Sequence, residues 1–415
     1  MTPATDRELR DAGAAEEVVV VEGQTYALSS KRGRKRVWCE DAYTAAPGLD
    51  GDPTQGIFSV FDGHGGRAAA DFAAKHLHDA VLREVNAVSN SPQRQRAGKT
   101  AGQVARGLEL VEDVKAAMIR GFLATDKRFL AECHLRGGAT ATTAFLRAGR
   151  IWVANVGDCR AVMCEDGQAA ALTLDHRPDC AEERRAVERR GGKVVSILGT
   201  SRVQGVLGVS RALGDRDLKQ FITAEPDVYS GPISDRSEFL ILGTDGLWDV
   251  VGNQEATALV RACLGLSGGG GDAVPRDVEG GGRMEGSALA PRSSTTTSSV
   301  AAAAAVAAAS PPKVECECVR DTSGLFGDVA EVATAAVGGS GRKGTDAACR
   351  GLVELARIRG SHDDISVLIV ELRSYAQGTT PASMPGDQKV AETSPDATSL
   401  TSQSMSTPPE TSLSS

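Results

Sequence analysis

A single stretch, IFSVFDGHGG (residues 57–66), indicates both the kind of fold and the position of a functional site. It begins as an apolar run of strand-forming residues and continues into Asp62, which is followed by glycine. The same pattern recurs in FLILGTDG (residues 239–246), and IWVANVGD (residues 151–158) also ends in an acid. One Asp-Gly pair after a strand predicts only a hairpin turn. Its repetition predicts that acidic side chains meet at one end of a sheet.

Further strand patterns follow one another as hairpin-like neighbours and do not alternate regularly with helices. They are TATTAFL (140–146), RAVMC (160–164) and DISVLIVEL (364–372). Helical patterns occur in separate blocks. One has apolar residues at near-helical spacing, namely Leu108, Val111, Met118, Phe122 and Phe129, and a second is predicted to start with Thr345 as its N-cap and to stop at Gly360. This order favours an α+β fold with antiparallel sheets covered by helices.

Composition predicts how the chain is divided. Residues 1–23 are predicted to be a flexible leader, and residues 24–374 a single domain. Glycine, serine and alanine dominate a segment of this domain at about residues 265–322, which is predicted to be a disordered insertion because it has too little apolar area to bury. Residues 375–415 are rich in serine, threonine and proline and are predicted to be a disordered tail.

Charge and cysteine usage exclude several classes of protein. The 415 residues include 41% apolar side chains, enough for a large core, and their formal net charge is −8. An acidic chain is poorly suited to bind nucleic acid or an anionic membrane surface. No apolar run is long enough for membrane insertion, which needs about 20 residues. The nine cysteines occur mostly singly, as expected for reduced intracellular thiols.

The acids at strand ends predict a metal site. Asp62, Asp158, Asp245 and Asp363 all lie next to predicted strands. Carboxylates brought within a few ångströms repel one another unless a cation neutralises them. Because all the candidate ligands are oxygens, the ion is expected to be Mg²⁺ or Mn²⁺ and not zinc.

Two basic or titratable residues lie beside these acids. His64 follows Asp62 on a glycine-flanked loop, where it is either a proton carrier or an exposed turn histidine. Arg36 precedes Glu40 and Asp41 at the end of a basic run, which either holds phosphate oxygens or is a solvated edge. The local sequence leaves both pairs of alternatives open.

Taken together and in this order, the motifs resemble the type-2C family of metal-dependent serine/threonine protein phosphatases. The resemblance covers about residues 24–374 and rests on nine ordered blocks: RVWCEDAYT at Arg36, FSVFDGHGGRAAA at Phe58, GGATATTAFL at Gly137, ANVGDCRAVM at Ala154, LTLDHRPD at Leu172, GVLGVSRALGDRDLK at Gly205, ITAEPDV at Ile222, LILGTDGLWDVV at Leu240 and GSHDDISVLIV at Gly360. It implies a four-layer αββα sandwich, in which two antiparallel sheets are flanked by helices and the metal centre lies at one end.

By motif position, the resemblance also implies a role for each site residue. Asp62 bridges two metal ions, the backbone carbonyl of Gly63 binds one of them, and Asp245 with Asp363 binds the other. Glu40 and Asp41 hold the ions through water. Asp158 and Asp245 form a weaker third metal site, and Asp249 is a supporting acid.

The implied reaction is hydrolysis of phosphoserine or phosphothreonine by a water shared between two Mg²⁺ or Mn²⁺ ions, without a covalent phosphoenzyme. Arg36 binds the phosphate, and His64 protonates the leaving alkoxide as general acid. The implied partners are phosphoproteins, and the chain is expected to be a monomer in the cytoplasm, the nucleus or both. A pseudophosphatase and another two-metal hydrolase such as a nuclease are the rival interpretations.

Two departures from the family pattern affect these expectations. Asp364 follows the predicted ligand Asp363, where the family usually has asparagine, and the added charge is expected to tighten or distort the metal site. Ile197 lies near the place where receptor-regulated plant members have tryptophan, so regulation by hormone receptors is not expected.

Overall fold

Two six-stranded antiparallel sheets form the centre of the computed structural model. The structure describes residues 18–34, 36–89, 103–266, 332–335 and 344–376, and of residues 18–22 and 103–109 only the backbone. The strands are β1 (Val18–Glu22), β2 (Tyr26–Lys31), β3 (Ala42–Pro47), β4 (Gly56–His64), β5 (Gly138–Arg147), β6 (Arg150–Val156), β7 (Arg160–Glu165), β8 (Gln168–Ala171), β9 (Val194–Ile197), β10 (Thr200–Val203), β11 (Leu213–Gly214), β12 (Asp227–Pro232), β13 (Ser237–Gly243) and β14 (Ile365–Glu371). The helices are α1 (Ala68–Ser89), α2 (Gln103–Glu132), α3 (Ala181–Arg189), α4 (Asp245–Trp248), α5 (Asn253–Leu264) and α6 (Thr345–Ile358).

Each sheet is built from antiparallel neighbours. The first has the strand order β1-β2-β14-β13-β7-β8, and the second has the order β12-β6-β5-β4-β3, with β11 also paired with β5. Strands β9 and β10 form a separate hairpin on the segment between β8 and β11. The predicted antiparallel α+β architecture is therefore confirmed.

The period-two pattern of β4 explains how the layers pack. Phe58 and Val60 point between the two sheets, where they meet Leu240 of β13 in one buried cluster. Ile57 and Phe61 alternate with them and face helices α1 and α2 in another. In β13, Phe239 and Ile241 face α5 and α6 in the same way. The order of layers is helix, sheet, sheet, helix, as expected.

Most predicted elements are confirmed. Strands β4, β5, β6, β7, β13 and β14 cover the strand patterns, and α2 buries Val111, Met118, Phe122 and Phe129 as its periodicity predicts. Among the described helices, none combines the length and apolar character needed to cross a bilayer. None of the cysteines within the described ranges forms a disulfide.

Three boundaries were wrong. Val18–Glu22 is not part of a flexible leader, because its β-branched run pairs with β2 and adds an edge strand. Tyr375 does not belong to the tail, because its ring is buried between the sheets beside Phe58. Gly265 and Leu266 do not start the insertion, since they close helix α5. The rest of the predicted leader, insertion and tail lies outside the described residues, except for residues 332–335.

The start of α6 was also misplaced. Thr345 is the first helical residue and not the N-cap, which is Gly344. The Thr345 hydroxyl instead donates a 2.8 Å hydrogen bond to Glu371, and so ties the helix to β14. The predicted stop is confirmed, because Gly360 has a positive φ of 86° directly after the helix.

Candidate active site

The acidic residues are delivered by strand ends from both sheets. Asp62 lies near the end of β4, Asp158 in the turn between β6 and β7, and Asp245 at the start of α4, directly after β13. One carboxylate oxygen from each of these three residues lies within 4.8 Å of the other two. The prediction that these acids meet at one end of the sandwich is therefore confirmed.

Burial and mutual repulsion disfavour the charged forms of these carboxyl groups. Burial raises the pKa of Asp62 and of Asp158 well above the usual range, and the charge of Asp245 raises both further. Burial, with smaller contributions from Asp249 and Asp363, raises the pKa of Asp245 to about 6. Full ionisation of the cluster is therefore unfavourable unless a cation neutralises it.

The acidic cluster and the acids around it fit a divalent ion. Among the residues that the structure describes, Oδ1 of Asp41 and Oδ1 of Asp245 are buried without a hydrogen-bond partner. Asp245 also lines a cavity of about 400 Å³, together with Asp249 and Asp363. Buried carboxylate oxygens without donors need a positive partner, and a site of oxygen ligands suits Mg²⁺ or Mn²⁺.

Arg36 lies at the edge of this cluster and holds two of the predicted site acids. Its Nε and Nη2 donate to Oδ1 of Asp363 at 3.0 and 2.7 Å, and Nη1 donates to Glu40 at 2.8 Å. Asp363 lines the same cavity as Asp245, but its carboxylate is paired with the guanidinium of Arg36. These contacts use three of the five N–H groups of Arg36, whose side chain is one-third exposed. Two N–H groups remain for an anion.

The contacts of Asp364 explain why an acid stands where the family usually has asparagine. It is buried, and its two oxygens accept backbone N–H groups from Gly33 at 2.7 Å and Glu40 at 2.8 Å. The residue therefore fixes the loop that carries Arg36 onto the start of β14. Its position accounts for a carboxylate here, because an asparagine side chain has only one acceptor oxygen for the two donors.

Asp41 is held by two hydroxyl groups. Its Oδ2 accepts hydrogen bonds from Ser366 at 2.7 Å and Thr244 at 3.2 Å. Burial raises the pKa of Asp41 well above its ordinary value, and the nearby carboxylates of Asp364 and Asp245 raise it further. These two hydroxyls leave Oδ1 as the atom available to an ion or to its water.

Gly63 allows a close backbone approach in the site. A Cβ atom at this position would collide with the carbonyl oxygen of Glu40 and would press on Ala70. Glu40 in turn accepts a hydrogen bond from Gly66 through Oε1 at 3.1 Å. The loop after Asp62 and the loop carrying Glu40 are thereby packed backbone to backbone, as the glycine-rich sequence requires.

Arg177 lies among the site acids and was not predicted to be a site residue. Its Nε is 3.0 Å from Oδ2 of Asp158, and its Nη2 donates to Asp249 at 2.6 Å. Burial lowers the pKa of Arg177, but the charges of Asp158 and Asp249 outweigh this and leave it raised. Arg177 belongs to the block LTLDHRPD, but nothing in its local sequence separates it from a solvated arginine.

His64 was predicted, but its partner was not. Nε2 of His64 lies 2.8 Å from Oδ2 of Asp215, a residue 151 positions later in the chain. The His64 side chain is 27% exposed, whereas that of Asp215 is 9% exposed. His64 is therefore partly open to solvent, while its Nε2 contacts a carboxylate.

The family follows from comparison with known proteins. The sequence profile of the protein phosphatase 2C family matches residues 27–272, which is more than half of the chain. The chain belongs to this family. Protein phosphatase 2C enzymes are metal-dependent serine/threonine phosphatases, in agreement with the acidic cluster described above.

Several curated plant proteins are similar to the chain. It is 44% identical over 240 residues to "Probable protein phosphatase 2C 2" of Arabidopsis thaliana, a match that covers 58% of each protein. It is 35% identical over 364 residues to "Probable protein phosphatase 2C 14" of the same plant, covering 85% of this chain and 73% of that protein. For the first of these relatives, the match spans little more than half of the relative's length.

Solved structures share the fold. A serine-threonine phosphatase 2C from Toxoplasma gondii is 20% identical with a TM-score of 0.53, covering 86% of this chain and 99% of that one. A C. elegans sex determining protein is 22% identical with a TM-score of 0.55, covering 85% of this chain and 66% of that one. These likenesses support the αββα architecture of the protein phosphatase 2C chain and say nothing further about its chemistry.

Proposed function

We propose that this protein is a serine/threonine phosphatase that hydrolyses phosphoserine and phosphothreonine residues with two Mg²⁺ or Mn²⁺ ions. The observation that carries the proposal is the meeting of Asp62, Asp158 and Asp245 within 4.8 Å, beside Arg36 and His64. Asp62, Gly63, Asp245 and Asp363 would hold the ions directly. Glu40 and Asp41 would hold them through water, and Asp158 would contribute to a weaker third site. When bound, the ions neutralise the carboxylates and lower the pKa of the attacking water.

The residues of the chain supply the rest of the chemistry. Arg36 has two N–H groups left after its contacts with Glu40 and Asp363, and these would bind phosphate oxygens and offset the charge that grows on them. His64 is partly open to solvent and would give a proton to the departing serine or threonine oxygen. Attack, charge stabilisation and protonation would then act on one phosphoryl group.

The test is phosphate release from a phosphothreonine peptide by the purified full chain in Mn²⁺, in Mg²⁺ and in EDTA. Asp62→Asn and Asp245→Asn should each abolish at least about 99% of the activity, because each removes a ligand. Asp166→Asn is the matched control, since Asp166 is an exposed acid paired with Arg236. Isothermal titration with Mn²⁺ should give two tight ions per chain. Inactivity of a well-folded wild type in every metal would favour a pseudophosphatase, and cleavage of DNA or RNA instead of the peptide would favour a nuclease.

We infer phosphoprotein partners and a monomeric protein of the cytoplasm or nucleus. The acidic charge supports the absence of nucleic-acid binding.

A further inference from the structure

The loop that contains Asp215 is built to hold its carboxylate against His64. Asp215 has a positive φ of 51°, a left-handed conformation that aspartate and asparagine adopt more readily than most residues. Its backbone N–H donates to the carbonyl of Gly137 at 2.9 Å. A Cβ atom at Gly138 would collide with Oδ2 of Asp215 and come within 2.7 Å of Nε2 of His64. Glycine at this position leaves room for the contact.

The same loop is tied to helix α2. The N–H of Gly214 donates to Asp126 at 2.8 Å, and Lys219 donates to the same oxygen at 2.9 Å. Arg216 donates to the carbonyls of Leu130 and Cys133 near the end of that helix. The contacts of Gly214 with Asp126 and of Arg216 with the end of α2 therefore fix the backbone on both sides of Asp215 before any substrate binds.

From this geometry we propose that Asp215 is a positioning residue for His64: its carboxylate orients the imidazole ring and keeps a hydrogen on Nε2. This inference rests on the proposed phosphatase function, in which His64 is the proton donor. A carboxylate only accepts hydrogen bonds, so the hydrogen in the 2.8 Å contact belongs to Nε2. Within the described part of the chain, Nδ1 of His64 has no hydrogen-bond partner. Nδ1 is thus the nitrogen left to donate to a substrate.

His64 supplies the proton that the leaving oxygen needs. Water forms a new P–O bond and releases one of its two protons to solvent, while the bond from phosphorus to the serine or threonine oxygen breaks and its electron pair goes to that oxygen. The proton on Nδ1 of the imidazolium passes to the same oxygen and gives the neutral alcohol. The ring is left neutral with its hydrogen on Nε2, still bonded to Asp215, and regains a proton from solvent.

The test compares substrates whose leaving groups differ in their need for a proton. An alkoxide leaves from a phosphoserine peptide only with protonation, whereas p-nitrophenolate is stable as an anion. His64→Ala should lower kcat for the peptide by about a hundredfold and lower kcat for p-nitrophenyl phosphate much less. Asp215→Asn should lower peptide kcat by about tenfold with little change in KM or in the rate on p-nitrophenyl phosphate, because the ring is misaligned and not removed.

A double variant distinguishes positioning from a separate structural role. His64→Ala with Asp215→Asn should be no slower than His64→Ala alone. Asn tolerates positive φ, so Asp215→Asn preserves the loop. The matched control is Asp217→Asn, which makes the same charge change on the same loop at a largely exposed acid paired with Arg136. It should leave both rates unchanged.

A second measurement does not depend on turnover. In metal-free protein, nitrogen NMR of the histidine rings, assigned by the signal missing in His64→Ala, should show the Nε2–H form of His64 in wild type and a mixture of tautomers in Asp215→Asn. Equal losses on both substrates, a double variant with multiplied losses, or an unchanged tautomer would each overturn the positioning role. Those results would leave the phosphatase function standing, whereas an inactive wild type would refute the function itself.

Discussion

Removing the charge of Asp245 should stabilise the metal-free protein while destroying its metal site. In the folded chain, burial beside other carboxylates raises the pKa of Asp245 from 3.8 to about 6. The folded state therefore holds this proton more tightly than the unfolded state does, and stability falls as pH rises between the two values. Asparagine keeps the shape of the side chain and has no charge to bury.

The size of the effect follows from the two pKa values. A difference of about two pKa units is equivalent to about 3 kcal/mol of unfolding free energy. At pH 7.5 in EDTA, Asp245→Asn should be more stable than wild type by up to about 3 kcal/mol, and at pH 4.5 the gain should shrink to about 1 kcal/mol. Saturating Mn²⁺ should reverse the order at pH 7.5, because only the wild type keeps this ligand.

Urea unfolding followed by tryptophan fluorescence measures this directly, since Trp248 is buried one turn from Asp245. Comparing the variant with wild type at each pH cancels the titration of groups elsewhere, and Asp166→Asn should show no such pH-dependent gain. If Asp245→Asn is less stable than wild type in EDTA at pH 7.5, or if its gain does not depend on pH, the reasoning from carboxylate repulsion is refuted.

Two further substitutions probe the supports of the site. Asp364→Asn should lower the unfolding free energy by about 2 kcal/mol in urea, because its amide would face one of the two backbone N–H donors; equal stability would contradict the double-acceptor role. Arg177→Gln should destabilise the EDTA-treated protein by about 3 kcal/mol, since it leaves Asp158 and Asp249 uncompensated, and Mn²⁺ should recover more stability in this variant than in wild type. An unchanged response to Mn²⁺ would show that the arginine does not occupy a cation position.

The sequence predicted those features that leave a local pattern. The strand that contains Asp62 is recognisable because its apolar residues are β-branched or aromatic and alternate between two buried faces. The convergence of Asp62 with Asp245 was predictable because both follow strands into glycine turns. Their family blocks then separated these acids from ordinary hairpin turns.

What the sequence missed depends on contacts between distant segments. Asp215 meets His64 only because the glycine loops bring residues 151 positions apart together, and a Gly-Asp pair alone predicts a turn. Arg177 looks like any exposed arginine until the fold surrounds it with acids. The edge strand Val18–Glu22 is a different case, because it forms a local hairpin with β2 and its valine run was a strand signal that the prediction overlooked.

The central place of β14 also constrains how the chain is made. Strands β1 and β2 join the rest of their sheet only through β14, and Ser30 of β2 bonds to Ser366 of β14 across 336 positions. At roughly 5–20 residues per second, a ribosome needs tens of seconds to synthesise the intervening chain. Until β14 is made, β2 and, once it has been synthesised, β13 each lack a neighbour, and both are exposed edges prone to pairing with other chains. Arg36 has no Asp363 to bind until the same moment, so a nascent chain cannot assemble the phosphate-binding side of the site before this last strand emerges.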